Sequence, residues 1–417
     1  MFDMLEELAR ANVLLLLIGV LIFDIPRYTF SLLSLALTGV ARNARRGSQP
    51  AGRATISVIV PAFNGGDDLD RAIAALHAQT LPPFEIIIVD DGSTDSTRAI
   101  AQAARRRGDI DIVVCHGTRC GRSAAINSGA RFARGDLLLV QDTDTVFETT
   151  VLAYMAAVFD DPQVAAASCN IGVANENDSI WTGLQSIEYL MSISAGRSFL
   201  NQIEAIACCS GACSMYRRTV FLGQGGLDVG PGEDLEFTLR LRRLGYSVRF
   251  VPEAWALTGV PDTFTALLRQ RARWDRDALR IRSIMYGEFN LRHPIEGLPD
   301  TLQRLDFIVF DLVPTLLFPF YVGYVVADLG PRALTFLAAL YVLVLGISLF
   351  NLALTQILFN RSPGLFGFAL APIFPFYQGV IMKCARFVTY SAEILFASSR
   401  HDDFVPPRIR RALLGRM

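Results

Sequence analysis

Short apolar runs alternate with amphipathic segments between residues 55 and 144, and this alternation restricts the fold more than any other feature of the chain. The predicted strands are 55–61, 84–89, 110–114 and 137–140. The predicted helices are 68–79, 96–107 and 121–133. Strands joined by helices over short connections predict an α/β fold with a mostly parallel sheet covered by helices on both faces.

Polar residues follow three of these strands, at Pro61–Asn64, at Asp90 and Asp91, and at Asp142 and Asp144. In parallel sheets, ligands bind beyond the carboxyl ends of the strands, so these loops should meet at one rim. Alternate residues share a face, which lets Asp142 and Asp144 aim at one cation. Carboxylate oxygens suit Mg²⁺ or Mn²⁺. Taken alone, each acidic pair also fits a solvated loop or a helix cap.

Composition points to a membrane protein with an ordinary globular middle. Of the 417 residues, 52% are hydrophobic, and the mean hydropathy is +0.35, with the apolar excess at the two ends. The formal net charge of -1 gives no basic field, so nucleic acid is not expected as a partner. The seven cysteines show no disulfide or zinc spacing, and we expect reduced thiols.

The N-terminal segment 1–41 is long and apolar enough to cross a membrane, either as one kinked helix or as a close pair. An arginine-rich linker, 42–54, follows it. Positive charge directly after a membrane segment predicts that the next domain is cytoplasmic. A bacterial-type inner membrane, crossed more than once, is the expected location.

Three apolar blocks occupy the C-terminal region 304–399, at 307–327, 334–359 and 365–382. Each is long enough to span, but the basic tail 400–417 favours the cytoplasm, and an odd number of crossings would place it outside. We therefore favour a third block that only dips into the membrane, although an external tail is the alternative. Asp311, within the first block, should face protein or a polar channel.

Five motifs, taken together, resemble family 2 glycosyltransferases, which have a GT-A fold. They are Val60–Asn64, Val89–Ser93, Gln141–Asp144, Gly232-Glu233-Asp234 and Gln270-Arg271-Ala272-Arg273-Trp274. Their order and the flanking apolar segments resemble the membrane-embedded branch of that family. That branch includes cellulose, hyaluronan, chitin-oligosaccharide and poly-N-acetylglucosamine synthases. The resemblance covers residues 55–280 by motif and the remainder by layout.

The resemblance implies a site for a UDP-sugar donor. Its residues would be Pro61, Phe63, Asn64, Asp90, Asp91, Arg122, Asp142, Gln270 and Arg273. Asp91 would meet the uracil, and Pro61 and Phe63 would pack on the base. Arg122 stands where the family more often has Lys and would meet the pyrophosphate, as would Gln270 and Arg273. Asp142 and Asp144 would hold the Mg²⁺ or Mn²⁺ ion.

The resemblance also implies an acceptor side. Asp234 would be the general base, with Glu233 beside it, and a carboxylate at a helix start has a dipole role as its alternative. Trp274 would stack under the acceptor sugar, and Gly211 and Ala212 would lie near it. Gly232 stands where the family usually has Thr, which puts the hydrogen bond of that Thr in doubt.

These observations predict a membrane-bound, metal-dependent, inverting hexosyltransferase that extends a β-linked polysaccharide, processively and coupled to export. UDP-N-acetylglucosamine and UDP-glucose are the expected donors, the bilayer is a partner, and the layout leaves room for an accessory membrane subunit. The alternatives are transfer to a lipid acceptor, as by ceramide or diacylglycerol glucosyltransferases, and an inactive nucleotide-binding scaffold. The predicted domains are a catalytic domain at 55–262 and interfacial helices at 263–303, between the membrane segments, linker and tail already named.

Overall fold

One mixed sheet organises residues 56–258. The computed structural model describes residues 26–38, 54–287 and 297–414. Within these ranges the sheet has eight strands, in the order β3-β2-β1-β4-β7-β6-β8-β5. The strands are Ile56–Ala62 (β1), Glu85–Asp90 (β2), Ile112–Cys115 (β3), Leu137–Gln141 (β4), Thr145–Phe147 (β5), Val164–Val173 (β6), Cys213–Arg217 (β7) and Ser247–Thr258 (β8).

Helices cover this sheet and precede it. They are Pro26–Thr38 (α1), Gly66–His77 (α2), Thr97–Arg107 (α3), Arg122–Phe132 (α4), Val151–Ala157 (α5), Ile180–Tyr189 (α6), Arg197–Gln202 (α7), Arg218–Gly223 (α8) and Glu233–Arg243 (α9). A π-helical stretch, Leu190–Gly196, joins α6 to α7. The predicted apolar face of α2 is confirmed, because Leu69, Ile73 and Leu76 are buried against the sheet.

The parallel half of the sheet matches the sequence prediction. β1 lies between β2 and β4, and β3 flanks β2, all in parallel pairing. Each predicted strand is present, with small shifts at its ends. All residues of β2 and β4 are buried, as expected for strands with helices on both faces.

The other half of the sheet is mixed. β7 pairs antiparallel with both β4 and β6, and β5 pairs antiparallel with β8, whereas β6 and β8 are parallel. The prediction of a mostly parallel sheet therefore applies to the first four strands. Apolar runs indicate burial but not strand direction, which pairing partners distant in the sequence determine.

The carboxyl ends of the central strands meet at one rim. Ala62 at the end of β1 is in register with Asp90 at the end of β2. A Cβ atom added to Gly65, after β1, would lie 2.7 Å from Oγ1 of Thr143, between the two predicted metal ligands. The convergence of the three predicted loops is thus confirmed.

The C-terminal part of the chain is helical. Its helices are Phe264–Arg280 (α10), Leu298–Phe307 (α11), Val313–Leu329 (α12), Ala333–Phe359 (α13), Gly364–Leu370 (α14), Phe374–Phe376 (α15), Lys383–Phe396 (α16) and Pro407–Leu414 (α17). π-helical turns continue α10 at Ile281–Met285, link α11 to α12 at Ile308–Leu312, and precede α16 at Tyr377–Met382.

In the described ranges, one helical stretch, Leu298–Phe359, is long and apolar enough to cross a membrane. A second qualifies if Gly364–Leu370 and Phe374–Phe396, which are bent by 69°, count as one span. The bend lies within the third apolar block, and whether that block only dips into the membrane remains a prediction. Asp311 faces protein, as predicted, because its carboxylate pairs with Nη1 of Arg386 at 2.7 Å.

Helix α1 is the described part of the predicted N-terminal membrane segment. Its Leu32 and Leu35 are buried, and Thr29 accepts a hydrogen bond from Nδ2 of Asn351 on α13 at 3.0 Å. The rest of the predicted segment 1–41, and nearly all of the predicted linker 42–54, lie outside the described residues. The proposed domain boundaries remain predictions.

Candidate active site

Asp142 and Asp144 follow β4 directly and lie side by side at the rim. The Asp144 carboxylate accepts hydrogen bonds from the hydroxyls of Thr145 and Thr258, each at 3.3 Å. Burial, together with the nearby charge of Asp142, raises the pKa of Asp144 to about 6. A cation placed between the two carboxylates would relieve this repulsion, so the pair has the chemistry of a hard divalent metal site.

Arg122 links the acidic pair to the opposite side of the site. Its Nε and Nη2 donate to Oδ1 of Asp142 at 3.0 and 2.9 Å, and its Nη1 donates to Oε1 of Glu233 at 2.6 Å. Nη2 also donates to the carbonyl of Gly211 at 2.6 Å. Burial opposes the charge, but Asp142 and Glu233 outweigh it and raise the pKa of Arg122 above its usual value. Arg122 therefore joins residues from three separate loops.

Glu233 and Asp234 open helix α9. Glu233 is buried against Arg122, and this burial raises the pKa of its carboxyl group. Oδ1 of Asp234 accepts the amide of Leu235 at 2.8 Å. Oδ2 points toward Gly211, since a Cβ atom added there would lie 3.4 Å from it. The predicted base and the predicted acceptor loop are thus adjacent.

The acceptor loop precedes β7 and is attached to the acidic pair through the backbone. The carbonyl of Ala212 accepts the amide of Asp142 at 3.3 Å. Cys209 and Cys213 are buried, and Cys208 lies close enough to Asp234 for its thiol to interact with that carboxylate. Burial raises the pKa of the Cys208 thiol well above its usual value, so this thiol stays protonated.

Asp90 lies at the rim but does not line an open surface. It is fully buried, and its carboxylate accepts the amide of Ser93 at 3.0 Å and Nε of Arg98 at 2.7 Å. Asp90 therefore fixes the loop that follows β2. Pro61 is partly buried and lies inside β1, in register with Val89.

Asp91 holds the loop after β3 in place. Its Oδ1 accepts Nδ1 of His116 at 2.7 Å and the amide of Cys120 at 2.9 Å, and its Oδ2 accepts the amide of Gly121 at 2.8 Å. The other ring nitrogen of His116 is 2.9 Å from the hydroxyl of Ser128. Asp91, His116 and Cys120 form the one group of three potential metal ligands identified in the described part of the chain. Because the Asp91 carboxylate already accepts three hydrogen bonds, we interpret this group as a polar network that holds the loop in place.

Phe63 is half-buried at the rim and carries a cation on its face. The guanidinium of Arg119 lies 4.0 Å from the Phe63 ring centroid and 4.8 Å from that of Phe404, in the C-terminal tail. Asn64 has a positive φ of 51°, and its Oδ1 accepts the amide of Thr94 at 2.9 Å. The contacts of Phe63 with Arg119 and of Asn64 with Thr94 thus hold the predicted base-binding loop in place.

Gln270, Arg273 and Trp274 lie on helix α10, as predicted. Arg273 is exposed, and Trp274 is 41% exposed. Oε1 of Gln270 is buried and has no hydrogen-bond partner among the described residues. The guanidinium of Arg271 lies 4.7 Å from the Trp274 ring. An exposed indole beside an unsatisfied amide oxygen suits a polar ring with hydroxyl donors.

Residues 57–223 match the family described as "Glycosyl transferase family 2". This domain belongs to glycosyl transferase family 2. An "N-acetylglucosaminyltransferase" of Rhizobium leguminosarum bv. viciae is 32% identical over 241 residues, which cover 54% of this chain and 56% of that protein. Its namesake in Azorhizobium caulinodans is 31% identical over 240 residues, covering 54% and 60%. The chain thus spans little more than half the length of the curated relatives it matches.

The structure of a mannosyltransferase from Pyrobaculum calidifontis, in complex with GDP-Man and Mn²⁺, shares the fold. The two structures superpose with a TM-score of 0.62 at 18% sequence identity, covering 89% of this chain and 96% of the other. The predicted GT-A fold of the family 2 domain is therefore confirmed.

The backbone conformation at position 232 explains why this chain has glycine where the family usually has Thr. Its φ is +82°, the left-handed region that favours glycine. An added Cβ atom would lie 2.6 Å from Cδ1 of Ile281 and 3.2 Å from Cβ of Asp277, both on the helical segment that carries Trp274. Close packing of that segment therefore leaves no room for a side chain at position 232.

Several residues at the site were missed in the sequence. His116 directly follows β3, and its position after a strand was an available signal. Arg119, Phe404 and Glu188 carried none, because each acquires its role through partners far away in the chain. Glu188 bonds Arg271 at 3.0 Å across 83 residues.

Proposed function

We propose that the protein is a membrane-bound, metal-dependent, inverting glycosyltransferase that adds N-acetylglucosamine from a UDP-sugar to a growing β-linked glycan. The observation that carries this proposal is the convergence of Asp142, Arg122 and Glu233 next to Asp234. The names of the relatives favour UDP-N-acetylglucosamine over UDP-glucose as donor. The proposal extends to the whole chain what the family match supports for one domain.

On the donor side, a cation held by Asp142 and Asp144 would neutralise charge that develops on the leaving diphosphate. Arg122 lies next to this pair and offers a fork of donors suited to phosphate oxygens. We propose that Phe63 and the loop held by Asp91 pack against the base. Either Mg²⁺ or Mn²⁺ fits a pair of carboxylates.

On the acceptor side, Asp234 takes the proton of the attacking hydroxyl group. The acceptor oxygen forms a bond to the anomeric carbon, the bond from that carbon to the phosphate oxygen breaks, and UDP leaves with the electron pair. Because a single displacement inverts the anomeric centre, an α-linked donor gives a β-linked product. The direction of Oδ2 of Asp234 toward Gly211, in the predicted acceptor loop, supports this assignment.

The membrane side of the proposal rests on the helices beyond α10. A long apolar stretch and a bent helical pair pack beside the Trp274 helix, and charged side chains lie between them. Arg386 contacts both Asp275, next to Trp274, and Asp311. Buried charges among apolar helices commonly mark polar routes, and we propose that the product leaves along this side, during processive synthesis.

The test uses the purified full chain in lipid nanodiscs with Mg²⁺ or Mn²⁺. Radiolabelled UDP-N-acetylglucosamine and UDP-glucose are supplied separately, and label is partitioned between organic solvent and high-mass material. High-mass label from UDP-N-acetylglucosamine supports the proposal. Label extractable into solvent would instead assign a lipid acceptor, and binding of UDP without any transfer would indicate a scaffold.

Asp234→Asn should stop transfer while UDP binding is retained, because the variant keeps the shape of the side chain and loses only the base. Asp228→Asn is the matched control, since Asp228 precedes α9 but pairs with Arg240 and Arg408. The control should retain transfer. Unchanged transfer in the Asp234 variant would refute the assignment of the base.

A further inference from the structure

Glu188 connects three elements that meet beside the candidate site. It lies on α6, and its side chain is only 12% exposed. Oε2 accepts Nη2 of Arg271, on α10, at 3.0 Å. The same oxygen accepts the hydroxyl of Tyr377, near the start of the second helix of the bent pair, at 2.8 Å. One carboxylate therefore joins the family 2 domain, the Trp274 helix and the helices of the C-terminal region.

Arg271 transmits the position of Glu188 to Trp274. The two residues are three positions apart on α10 and thus share a face. The Arg271 guanidinium lies 4.7 Å from the Trp274 ring, within the range of a cation–π contact. Because Arg271 covers one face of the indole, the exposed part of the Trp274 ring has a fixed orientation.

A second, partly buried ion pair lies next to Trp274 in the sequence. Asp275, the next residue, bonds Nε of Arg386 at 3.2 Å, and Arg386 also bonds Asp311 at 2.7 Å. Removing one partner of a buried pair leaves an uncompensated charge, so such pairs hold their elements in one arrangement. Trp274 is thus held between two ionic contacts that attach α10 to different parts of the protein.

Arg271 also contacts Tyr189, the residue after Glu188. Tyr189 is buried, and the Arg271 guanidinium lies 5.8 Å from the centroid of its ring. Two neighbouring residues of α6 therefore contact Arg271.

We propose that Glu188 is a positioning residue for the acceptor sugar, acting through Arg271 on Trp274. This inference rests on the proposed glycosyl transfer, because it assigns to Trp274 the role of the acceptor platform. Glu188 does not touch the reacting atoms. It sets the plane of the indole on which the acceptor ring packs.

The first test is Glu188→Gln, which keeps the size and the acceptor oxygen but removes the charge. Loss of one charge-assisted hydrogen bond predicts an acceptor KM raised about tenfold. The donor KM should change by less than about twofold, because Arg122 and the acidic pair are untouched. Tyr377→Phe, which leaves the ion pair intact, should shift the acceptor KM in the same direction by less.

The second test measures the solvent exposure of the Trp274 indole directly and does not require sugar transfer. The chain has three tryptophans, so Trp181→Phe with Trp255→Phe leaves Trp274 as the sole indole. In this background, Glu188→Gln should increase acrylamide quenching of Trp274 fluorescence. A purely structural ion pair would not couple to the exposure of this one ring.

Glu148→Gln is the matched control, because Glu148 pairs with Arg361, whose guanidinium lies 4.7 Å from the Trp255 ring. It removes the same kind of contact elsewhere and should leave acceptor KM and Trp274 quenching unchanged. Equal increases in donor and acceptor KM, or unchanged quenching in Glu188→Gln, would overturn the inference. Increased quenching in a protein that transfers no sugar would refute the proposed function and leave the positioning of Trp274 supported.

Discussion

Replacing Asp144 by Asn should make the protein more stable at neutral pH in metal-free buffer while removing its response to a divalent cation. Asp144 is partly buried beside Asp142, and its pKa is raised to about 6 from an ordinary 3.8. The folded protein therefore resists ionisation of this carboxyl. Asn keeps the size and can still accept the hydroxyls of Thr145 and Thr258, so only the charge is removed.

The sign and size follow from proton linkage. Between pH 3.8 and about 6 the folded state holds a proton that the unfolded state has released, so stability falls as pH rises through this window. A shift of about two units corresponds to about 3 kcal/mol, fully expressed above pH 6. The variant should therefore gain up to about 3 kcal/mol at neutral pH and almost nothing near pH 4.

The assay is denaturant unfolding in nanodiscs across this pH range, with and without Mn²⁺. Added Mn²⁺ should stabilise the wild type but not the variant, which reverses their order. Asp136→Asn is the control, and its change in stability should have the opposite sign. Hydrogen bonds from the Thr55 amide and hydroxyl lower the pKa of Asp136. That variant should lose stability at neutral pH. A gain in Asp144→Asn that is independent of pH would refute the reasoning.

Three further predictions concern other contacts. Gly232→Thr should lower the free energy of unfolding by about 3 kcal/mol, because the left-handed backbone and the contact with Ile281 both oppose a side chain. Denaturant unfolding curves measure this loss, and an unchanged stability would contradict the packing argument. Arg122→Lys should lower kcat/KM about tenfold, because a lysine ammonium cannot replace the guanidinium that bonds both Asp142 and Glu233. Unchanged kinetics would show that a point charge suffices at this position. Glu85→Gln should lower the free energy of unfolding by about 2 kcal/mol, because its buried carboxylate accepts the Ser57 hydroxyl and Nε of Arg134. Donor KM should not change, since Glu85 begins β2 at the end away from the rim, and a changed donor KM would contradict this assignment.

Local pattern was enough to predict the parallel half of the sheet. Burial along β1, β2 and β4, and the apolar face of α2, depend on periodicity within a few residues, which the sequence displays directly. The acidic pair after β4 could likewise be found, because carboxyl ends of parallel strands share one rim. Asp234 and Trp274 were found by resemblance to a family, and their roles remain predictions.

Contacts between distant parts of the chain could not be read in this way. Arg122 and Glu233 are 111 residues apart, and Glu188 and Tyr377 are 189 residues apart. No periodicity connects such pairs, because their meeting depends on strand order and on how the C-terminal helices pack. The sequence by itself determined which segments are buried and which rim carries the polar loops. Only the tertiary structure decided which charges pair across that rim, since a side chain's partners follow from topology rather than from its neighbours in the chain.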